Sequence, residues 1–348
     1  MHNKRNLLSK NTAYILIMII AVMPLLTTLT ACSNELASPV GVTGYKLNTY
    51  VSIDAYTTGG HSSKELNNIL EEALSLCDKY ELMFSRTNPQ STLYKVNSKE
   101  ITSIPSELGY LIKTGLSYCE ISEGAFDITI GSVSSLWDFS GLSDEVPDSK
   151  DIENALKYVD YTKVDLSENN DGSYNISMPD GMMLDLGAIA KGYIADKIKE
   201  FLLSKNIENA IINLGGNVLC VGQKKENVNF NIALKKPFGE ASQILTTLSI
   251  NDKSVVSSGT YERYFSKDDV LYHHILNPKT GYPYNNDIDG VTIISDSSLI
   301  GDCLSTVCFV LGSEKGLELI SDITDTEAMY VSGSDLYYSD NFKNYINK

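Results

Sequence analysis

The sequence predicts a globular protein of mixed helix and strand, of the α/β or α+β class. Residues 45–55 alternate between apolar and more polar side chains, as in a half-buried strand. A capping-box sequence follows at Ser62 and Glu65, and apolar residues then recur at helical spacing as far as Cys77. No GxGxxG motif comes after the first strand, so a dinucleotide-binding Rossmann domain is not expected.

The size and charge of the chain narrow its function further. Its 348 residues are 43% hydrophobic, which is enough to form a substantial core. Lysine and arginine number 28 against 44 aspartates and glutamates, a formal net charge of −16. Such an acidic chain is not expected to bind nucleic acid. Its cysteines show no CxxC spacing, so neither a disulfide framework nor a zinc site is indicated.

The N-terminal segment has the pattern of a bacterial lipoprotein signal. A basic start and an apolar stretch over 13–29 lead to small residues directly before Cys32. We expect residues 1–31 to be removed and Cys32 to be lipidated, which would anchor the protein at the extracytoplasmic face of a cell membrane. A retained transmembrane anchor is the alternative, but the run is at the short limit for spanning and Pro24 interrupts it. Residues 32–44 are predicted to be a flexible tether, and residues 45–348 the folded domain.

Further helices and strands follow in chain order. A helix with Pro105 in its first turn is predicted to stop at Gly124. Asp171-Gly172 is predicted to join two alternating segments as a hairpin. A buried strand over 210–219 contains the pair Gly215-Gly216, which indicates a bulge, a close approach to a ligand, or only relief of packing. The remaining predicted elements are a short helix over 152–158, strands over 230–234, 245–250 and 255–256, and a helical segment within 296–312.

The stretch from Asp185 to Gly192 is a candidate anion site. It bends at Gly187 and then enters the apolar periodicity of a helix. A helix that starts there would direct unpaired N–H groups and its positive dipole end at an anion, most plausibly a phosphate, and Lys191 would add a positive charge. The alternative is a buried turn in which Asp185 caps the helix and Lys191 is solvated.

A second candidate site lies near the C-terminus. Asp302 and Thr306 are four residues apart, so on a helix both oxygens lie on one face and could meet one small hard cation. Magnesium accepts few protein ligands when a substrate phosphate supplies the rest, which connects this pair to the anion turn. The alternative is that both are capping or solvated groups. The adjacent His273 and His274 would face opposite sides of a strand, so they are not expected to share a metal.

Several dispersed motifs occur together in a specific order. They are Gly124-Ala125-Phe126-Asp127, Asp185 to Gly192, Asn213-Leu214-Gly215-Gly216-Asn217, Ser258-Gly259, His274-Ile275 with Asn277-Pro278, and Asp302 to Thr306. This succession resembles the ApbE family, the FAD:protein FMN transferases, over nearly all of residues 45–340. The resemblance implies a single α+β domain of two packed lobes, with mainly antiparallel strands, flanking helices and a flavin site between the lobes.

The resemblance also implies an activity and a set of site residues. A magnesium-dependent enzyme of this family would transfer FMN from FAD to a threonine or serine hydroxyl of an extracytoplasmic acceptor protein and release AMP. Carried over by position, the magnesium ligands would be the main-chain oxygen of Ala188 and the side chains of Asp302 and Thr306. The flavin contacts would be Ala125, Phe126, Asp127, Asp185, Lys191 and Ile275. Asp302, Lys191 and His274 would be the catalytic residues.

Two other functions remain open at this point. In one, water replaces the acceptor hydroxyl and the protein is an FAD pyrophosphatase that yields FMN and AMP. In the other, the chain is a flavin-binding lipoprotein without catalysis. The sequence departs from the family pattern at Leu47-Asn48-Thr49, where a methionine-glycine-threonine is expected, and at Thr87, where an aromatic residue is expected.

Overall fold

An eight-stranded sheet forms the centre of the structure, a computed structural model that describes residues 35–240 and 242–347. The predicted signal peptide and the lipidation of Cys32 lie outside these residues. The strands are β1 (Glu35–Lys46), β2 (Thr49–Thr57), β3 (Ser103–Ile104), β4 (Asp165–Glu168), β5 (Tyr174–Ser177), β6 (Ala210–Leu214), β7 (Asn217–Val221), β8 (Phe230–Lys235), β9 (Ile244–Ile250), β10 (Ser254–Gly259), β11 (Tyr264–Lys267), β12 (Val270–His273), β13 (Gly290–Ser295), β14 (Glu327–Ser332) and β15 (Asp335–Tyr338). The helices are α1 (Ser63–Phe84), α2 (Thr92–Asn97), α3 (Ser106–Ile121), α4 (Gly131–Ser134), α5 (Ser149–Leu156), α6 (Ala190–Ser204) and α7 (Ser298–Ser321).

The strands pair antiparallel throughout the described residues. The main sheet has the order β1-β2-β6-β7-β10-β13-β14-β15, and β3-β5-β4, β8-β9 and β11-β12 form small separate sheets. The one parallel contact described is an isolated bridge between Ile130 and Met183. This confirms the predicted α+β class with mainly antiparallel strands, and it confirms that the fold is not a Rossmann arrangement.

Helices and a strand ribbon cover the two faces of the main sheet. Helices α1, α3 and α6 contribute to the largest apolar cluster, together with residues of β2 and β6. The β8-β9 ribbon packs with residues of β7, β10, β13 and β14 in a second cluster. None of the helices in residues 35–240 and 242–347 combines the length and the apolar character needed to cross a membrane.

The folded part begins earlier than the sequence predicts. Residues 40–44, assigned to the flexible tether, lie within β1 and pair in register with β2, from Val40 opposite Ala55 to Gly44 opposite Val51. The tether prediction is therefore wrong for these residues. Val42 is buried, and Gly41 lies so close to Asp54 that an added Cβ would come within 2.1 Å of its carboxylate oxygen. Gly41 thus leaves room for the Asp54 side chain on the neighbouring strand.

Tight turns interrupt two of the strands that the sequence predicts. The strand predicted over 45–55 is divided by a turn at Leu47 and Asn48, whose φ angles are 54° and 57°. The strand predicted over 210–219 is instead the β6-β7 hairpin, and its two turn residues are Gly215 and Gly216, with φ angles of 65° and 94°. Two consecutive positive φ angles are what a two-residue hairpin turn requires, and glycine adopts them without steric cost.

The other elements agree with the sequence in kind and place. Ser62 and Glu65 form the predicted capping box at the start of α1. Helix α3 ends where Gly124 takes a φ of 75° and donates its N–H to the Cys119 carbonyl oxygen. The two alternating segments around Asp171-Gly172 form the β4-β5 hairpin. The short helices α2 and α4 were not predicted, and neither were the strands β3, β11, β13, β14 and β15.

Candidate functional site

The two candidate sites of the sequence meet where α6 crosses α7. The backbone N–H of Gly192 donates to Oδ2 of Asp302 at 2.7 Å. The helices touch closely there, because a Cβ added to Gly192 would lie 2.3 Å from the carbonyl oxygen of Ser298. The structure therefore brings the anion turn and the Asp302 helix together across 110 residues of sequence.

The hydrogen bond to Asp302 changes the first turn of α6. In a regular helix the N–H of Gly192 would donate to the carbonyl oxygen four residues earlier, that of Ala188. Because it donates to Asp302 instead, the Ala188 carbonyl accepts no backbone hydrogen bond in the part of the chain that the structure describes. The N-cap residue is Ile189, which provides no side-chain cap. The Ala188 carbonyl oxygen thus keeps its lone pairs for a ligand.

Asp302 is held in a nearly water-free environment. Its side chain is buried, with 4% exposure, and burial raises the pKa of its carboxyl group. The positive charge of Lys191, the Gly192 N–H and the nearby Asn217 amide act in the opposite direction. Asn217 accepts a hydrogen bond from the Ser298 hydroxyl at 2.7 Å, but its buried Nδ2 reaches no partner within the described residues. A positive ligand would relieve the buried charge of Asp302.

Thr306 lies one turn beyond Asp302 on the same helix. Its half-buried hydroxyl has one long contact, 3.5 Å to the hydroxyl of Ser258, which lies in β10. Ser258 is bonded more closely to Ser305, at 2.8 Å. In the described residues no group of three or more His, Cys, Asp or Glu side chains could hold a metal ion. A cation here would depend on one carboxylate, a hydroxyl and a carbonyl oxygen.

Lys191 and His274 share one charged environment. Burial lowers the pKa of His274 well below 6.5, and the positive charges of Arg263 and Lys191 lower it further. Nδ1 of His274 is buried and has no hydrogen-bond partner among the described residues. The ring is therefore neutral near neutral pH, and its buried Nδ1 keeps an unused hydrogen-bonding position. Lys191 also acts on Glu262, whose pKa is raised by burial and lowered by nearby cations.

The adjacent His273 makes contacts different from those of His274, and β12 ends at His273, so the two do not share the strand that the sequence predicts. Its Nε2 lies 2.8 Å from the carbonyl oxygen of Tyr284, and its Nδ1 accepts the N–H of Ile275 at 3.3 Å. Its ring packs against Phe309 with centroids 5.8 Å apart. His273 is thus a structural residue, while His274 lies on the side of Lys191.

Tyr284 connects two of the predicted flavin contacts. Its hydroxyl donates to the carbonyl oxygen of Ala125 at 2.7 Å, and its N–H donates to the carbonyl oxygen of Ile275 at 3.0 Å. The side chains of Phe126 and Ile275 are buried, with 7% and 6% exposure. The structure therefore places the segment at 125–126 beside the segment that follows the histidines.

The carboxylates of Asp127 and Asp185, both predicted flavin contacts, accept hydrogen bonds from other residues of the protein. Asp127 accepts from the N–H and the hydroxyl of Thr129, both at 2.7 Å, and burial nevertheless raises its pKa. Asp185 accepts from Nε of Arg86 at 2.8 Å and from the hydroxyl of Ser134 at 2.7 Å. Its other oxygen accepts the N–H of Gly187 at 2.9 Å, so Asp185 stabilises the glycine bend and does not cap α6.

These two segments also meet through the backbone. The N–H of Asp185 donates to the carbonyl oxygen of Ile128 at 2.8 Å, beside the parallel bridge between Ile130 and Met183.

A surface hollow of about 730 Å³ lies elsewhere, and its lining, which includes Leu203, Glu208 and Asp252, contains none of the predicted site residues.

Sequence reasoning did not assign roles to four residues that support this arrangement. Asn217 and Ser258 lie inside motifs that carried the family resemblance, and this was a usable signal. Arg86 directly precedes Thr87, where the sequence was compared with the family pattern, but its contact with Asp185 was not predicted. Tyr284 gave no local signal, because its role depends on a contact with Ala125, which is distant in sequence.

Comparison with known proteins gives consistent matches along most of the chain. The model of the ApbE family matches residues 47–330. The chain is 37% identical over 267 residues to the FAD:protein FMN transferase of Klebsiella pneumoniae (strain 342), covering 76% of this chain and 82% of that protein. It is 33% identical over 281 residues to the FAD:protein FMN transferase of Treponema pallidum (strain Nichols), covering 77% and 78%.

Solved structures agree with these sequence matches. The crystal structure of the ApbE protein from Thermotoga maritima is similar with a TM-score of 0.78 at 31% identity, covering 89% of this chain and 100% of that one. The flavin transferase ApbE from Vibrio cholerae is similar with a TM-score of 0.76 at 25% identity, with the same coverage of both chains.

Proposed function

Because the chain belongs to the ApbE family, we propose that it is a magnesium-dependent, lipid-anchored enzyme that transfers FMN from FAD to a threonine or serine of an extracytoplasmic protein. Membership and the named relatives make it a flavin transferase that uses FAD and a protein acceptor. The magnesium ion, the hydroxyl acceptor and the location are the parts that we propose.

The convergence of Gly192 and Asp302 supports the magnesium site best. It leaves the Ala188 carbonyl oxygen without a backbone partner among residues 35–240 and 242–347, and it buries a carboxylate beside the cationic Lys191. Thr306 contributes a hydroxyl that, in the part of the chain that the structure describes, has a single long contact of 3.5 Å, to Ser258. These three oxygen donors are of the hard type that magnesium prefers, and substrate phosphate and water would complete its shell. When bound, the ion would balance the negative charge that develops on the diphosphate.

The residues of the chain account for the rest of the reaction. The acceptor hydroxyl oxygen forms a bond to the phosphorus of the FMN half, and the phosphorus–oxygen bond to the AMP half breaks. AMP departs with that electron pair, and Lys191 stabilises the negative charge. The proton of the hydroxyl passes to a base. His274 fits this role, because its lowered pKa keeps the ring neutral and its Nδ1 has no partner among the described residues.

The flavin half would lie along the segments that Tyr284 joins. Ala125, Phe126 and Ile275 would provide contacts to it, while Asp127 and Asp185 shape the two loops through bonds to their own chain. We propose that these carboxylates act on the flavin mainly by fixing those loops.

The experiment is the substitution Asp302→Ala. We expect the variant to fold and to lose FMN transfer, measured as in-gel flavin fluorescence of acceptor protein incubated with FAD and magnesium. Glu318→Ala is the matched control, since Glu318 is an exposed acid on the same helix. Normal labelling by a folded Asp302→Ala variant would contradict the assignment.

The same assay separates the two other functions. Free FMN and AMP formed at the same rate with and without acceptor would indicate a pyrophosphatase. Intact FAD after long incubation with magnesium and acceptor would indicate a binding protein. Because pure binding does not need a cation at the diphosphate, Asp302 and Lys191 favour catalysis.

The lipid anchor has a test of its own. The small residues before Cys32 motivate it, and we expect Cys32→Ala to move the protein from the membrane fraction to the soluble extracytoplasmic fraction. A Cys32→Ala protein that stays with the membrane would argue for another means of attachment.

A further inference from the structure

Asp196, on α6, reaches across to the beginning of α7. One carboxylate oxygen accepts the N–H of Ser298 at 2.8 Å. The other accepts the N–H of Leu299 at 3.0 Å and the hydroxyl of Ser297 at 2.7 Å. The first N–H groups of a helix have no partner within it, so Asp196 caps α7 from a neighbouring helix.

This contact is the counterpart of the one made by Asp302. Helix α7 supplies Asp302 to the N–H of Gly192 on α6, and α6 supplies Asp196 to the N–H of Ser298 on α7. Gly192 and Asp196 are four residues apart on α6, and Ser298 and Asp302 are four residues apart on α7. The two bonds are thus one helical turn apart on each helix, which therefore run antiparallel here. Two bonds at this spacing resist both sliding and rotation of α7 against α6.

We propose that Asp196 is a positioning residue of the transfer site, which fixes α7 so that Asp302 and Thr306 face the Ala188 carbonyl and Lys191. The inference rests on the proposed function, because it concerns the cation and phosphate site of that reaction. Bonds from a carboxylate to backbone N–H groups are charge-assisted and directional, so they suit this role. Burial raises the pKa of Asp196 despite these three donors, so the carboxylate is kept there at an energetic cost.

The test is Asp196→Asn, which keeps the size of the side chain but removes its charge and replaces one of the two accepting oxygens with an NH2 group that cannot accept an N–H. Manganese alone is titrated by electron paramagnetic resonance of the free ion, and the magnesium dependence of AMP release is measured separately. We expect the dissociation constant for manganese and the half-saturating magnesium concentration each to rise about tenfold or more, the effect usual for residues that orient metal ligands. The rate at saturating magnesium should stay near that of the wild type.

Ser62→Ala is the control for the loss of a helix cap as such. It removes the side-chain cap of α1, remote from the site, and should lower the melting temperature without changing either metal constant. If Asp196→Asn lowers only the melting temperature and both metal constants equal those of the wild type, the inference is overturned. If Asp196→Asn does not fold, Ser297→Ala removes one of the three bonds to Asp196, together with the cap that the Ser297 hydroxyl gives the Ile300 N–H, and should shift both constants in the same direction by less. Unchanged constants in that variant would also overturn the inference.

The outcome also separates this inference from the proposed function. A wild-type protein that transfers FMN without any divalent ion would overturn the magnesium site and this inference with it. A wild type that requires magnesium, with an Asp196 variant that does not differ from it, would overturn the inference alone.

Discussion

Replacing Gly192 with alanine should separate α6 from α7 and disable the site. The added Cβ would lie 2.3 Å from the carbonyl oxygen of Ser298 and 2.7 Å from the Cα of Leu299. Both atoms are backbone, so no side chain can turn away to make room. Because carbon contacts are optimal at about 3.5–4.0 Å, the helices must move apart by about 1 Å.

The expected cost follows from that movement. The bond from the Gly192 N–H to Asp302 is now 2.7 Å long, and a shift of about 1 Å would take it beyond hydrogen-bond range. Overpacking of a core costs about 1–3 kcal/mol. A lost hydrogen bond to a charged group costs about 1.5–3 kcal/mol. Alanine has a higher helix propensity than glycine, which offsets about 1 kcal/mol of this loss, so the net loss of stability should be about 1.5–5 kcal/mol.

Chemical denaturation and FMN transfer provide the two measurements. Gly301→Ala in α7 is the matched control, because its Cβ would meet the side-chain ends of Ser295 and Val256 rather than backbone. That variant should lose less stability and keep its activity. Wild-type stability and transfer rate in Gly192→Ala would show that the two helices are not held in contact as described.

Two more predictions concern His274 and Tyr284. Because the pKa of His274 lies well below 6.5, activity should not fall as the pH drops through 6.5, and a loss of activity centred there would contradict its role as the neutral base. In the unfolded chain the His274 imidazole has its ordinary pKa of about 6.5, so it takes up a proton at a higher pH than in the folded protein. The free energy of unfolding should therefore fall as the pH falls below about 6.5, and His274→Gln should weaken that dependence in denaturation curves measured at several pH values. Tyr284→Phe removes the bond to the Ala125 carbonyl and should cost about 0.5–1.5 kcal/mol in urea denaturation, with a higher KM for FAD. An unchanged KM for FAD would place Tyr284 outside the flavin site.

The predictable part of the fold was local. The capping box at Ser62 and the stop of α3 at Gly124 depend on residues a few positions apart, so short-range geometry decides them. The errors have the same origin. A glycine pair at 215–216 fits a bulge, a ligand contact or a hairpin turn equally well, and only the pairing of β6 with β7 distinguishes them. The composition of residues 40–44 is that of a linker, and only their pairing with β2 shows that they form a strand.

Within the site, the sequence alone determined that Asp302 and Thr306 share one helix face, and that a glycine bend precedes Lys191. The helical period fixes such relations within a turn or two. Only the tertiary structure decided that Gly192 donates to Asp302 and that Asp196 caps the opposite helix, because packing between segments more than 100 residues apart sets these distances. A local sequence pattern cannot predict such a contact, because the packing of the core brings its two residues together.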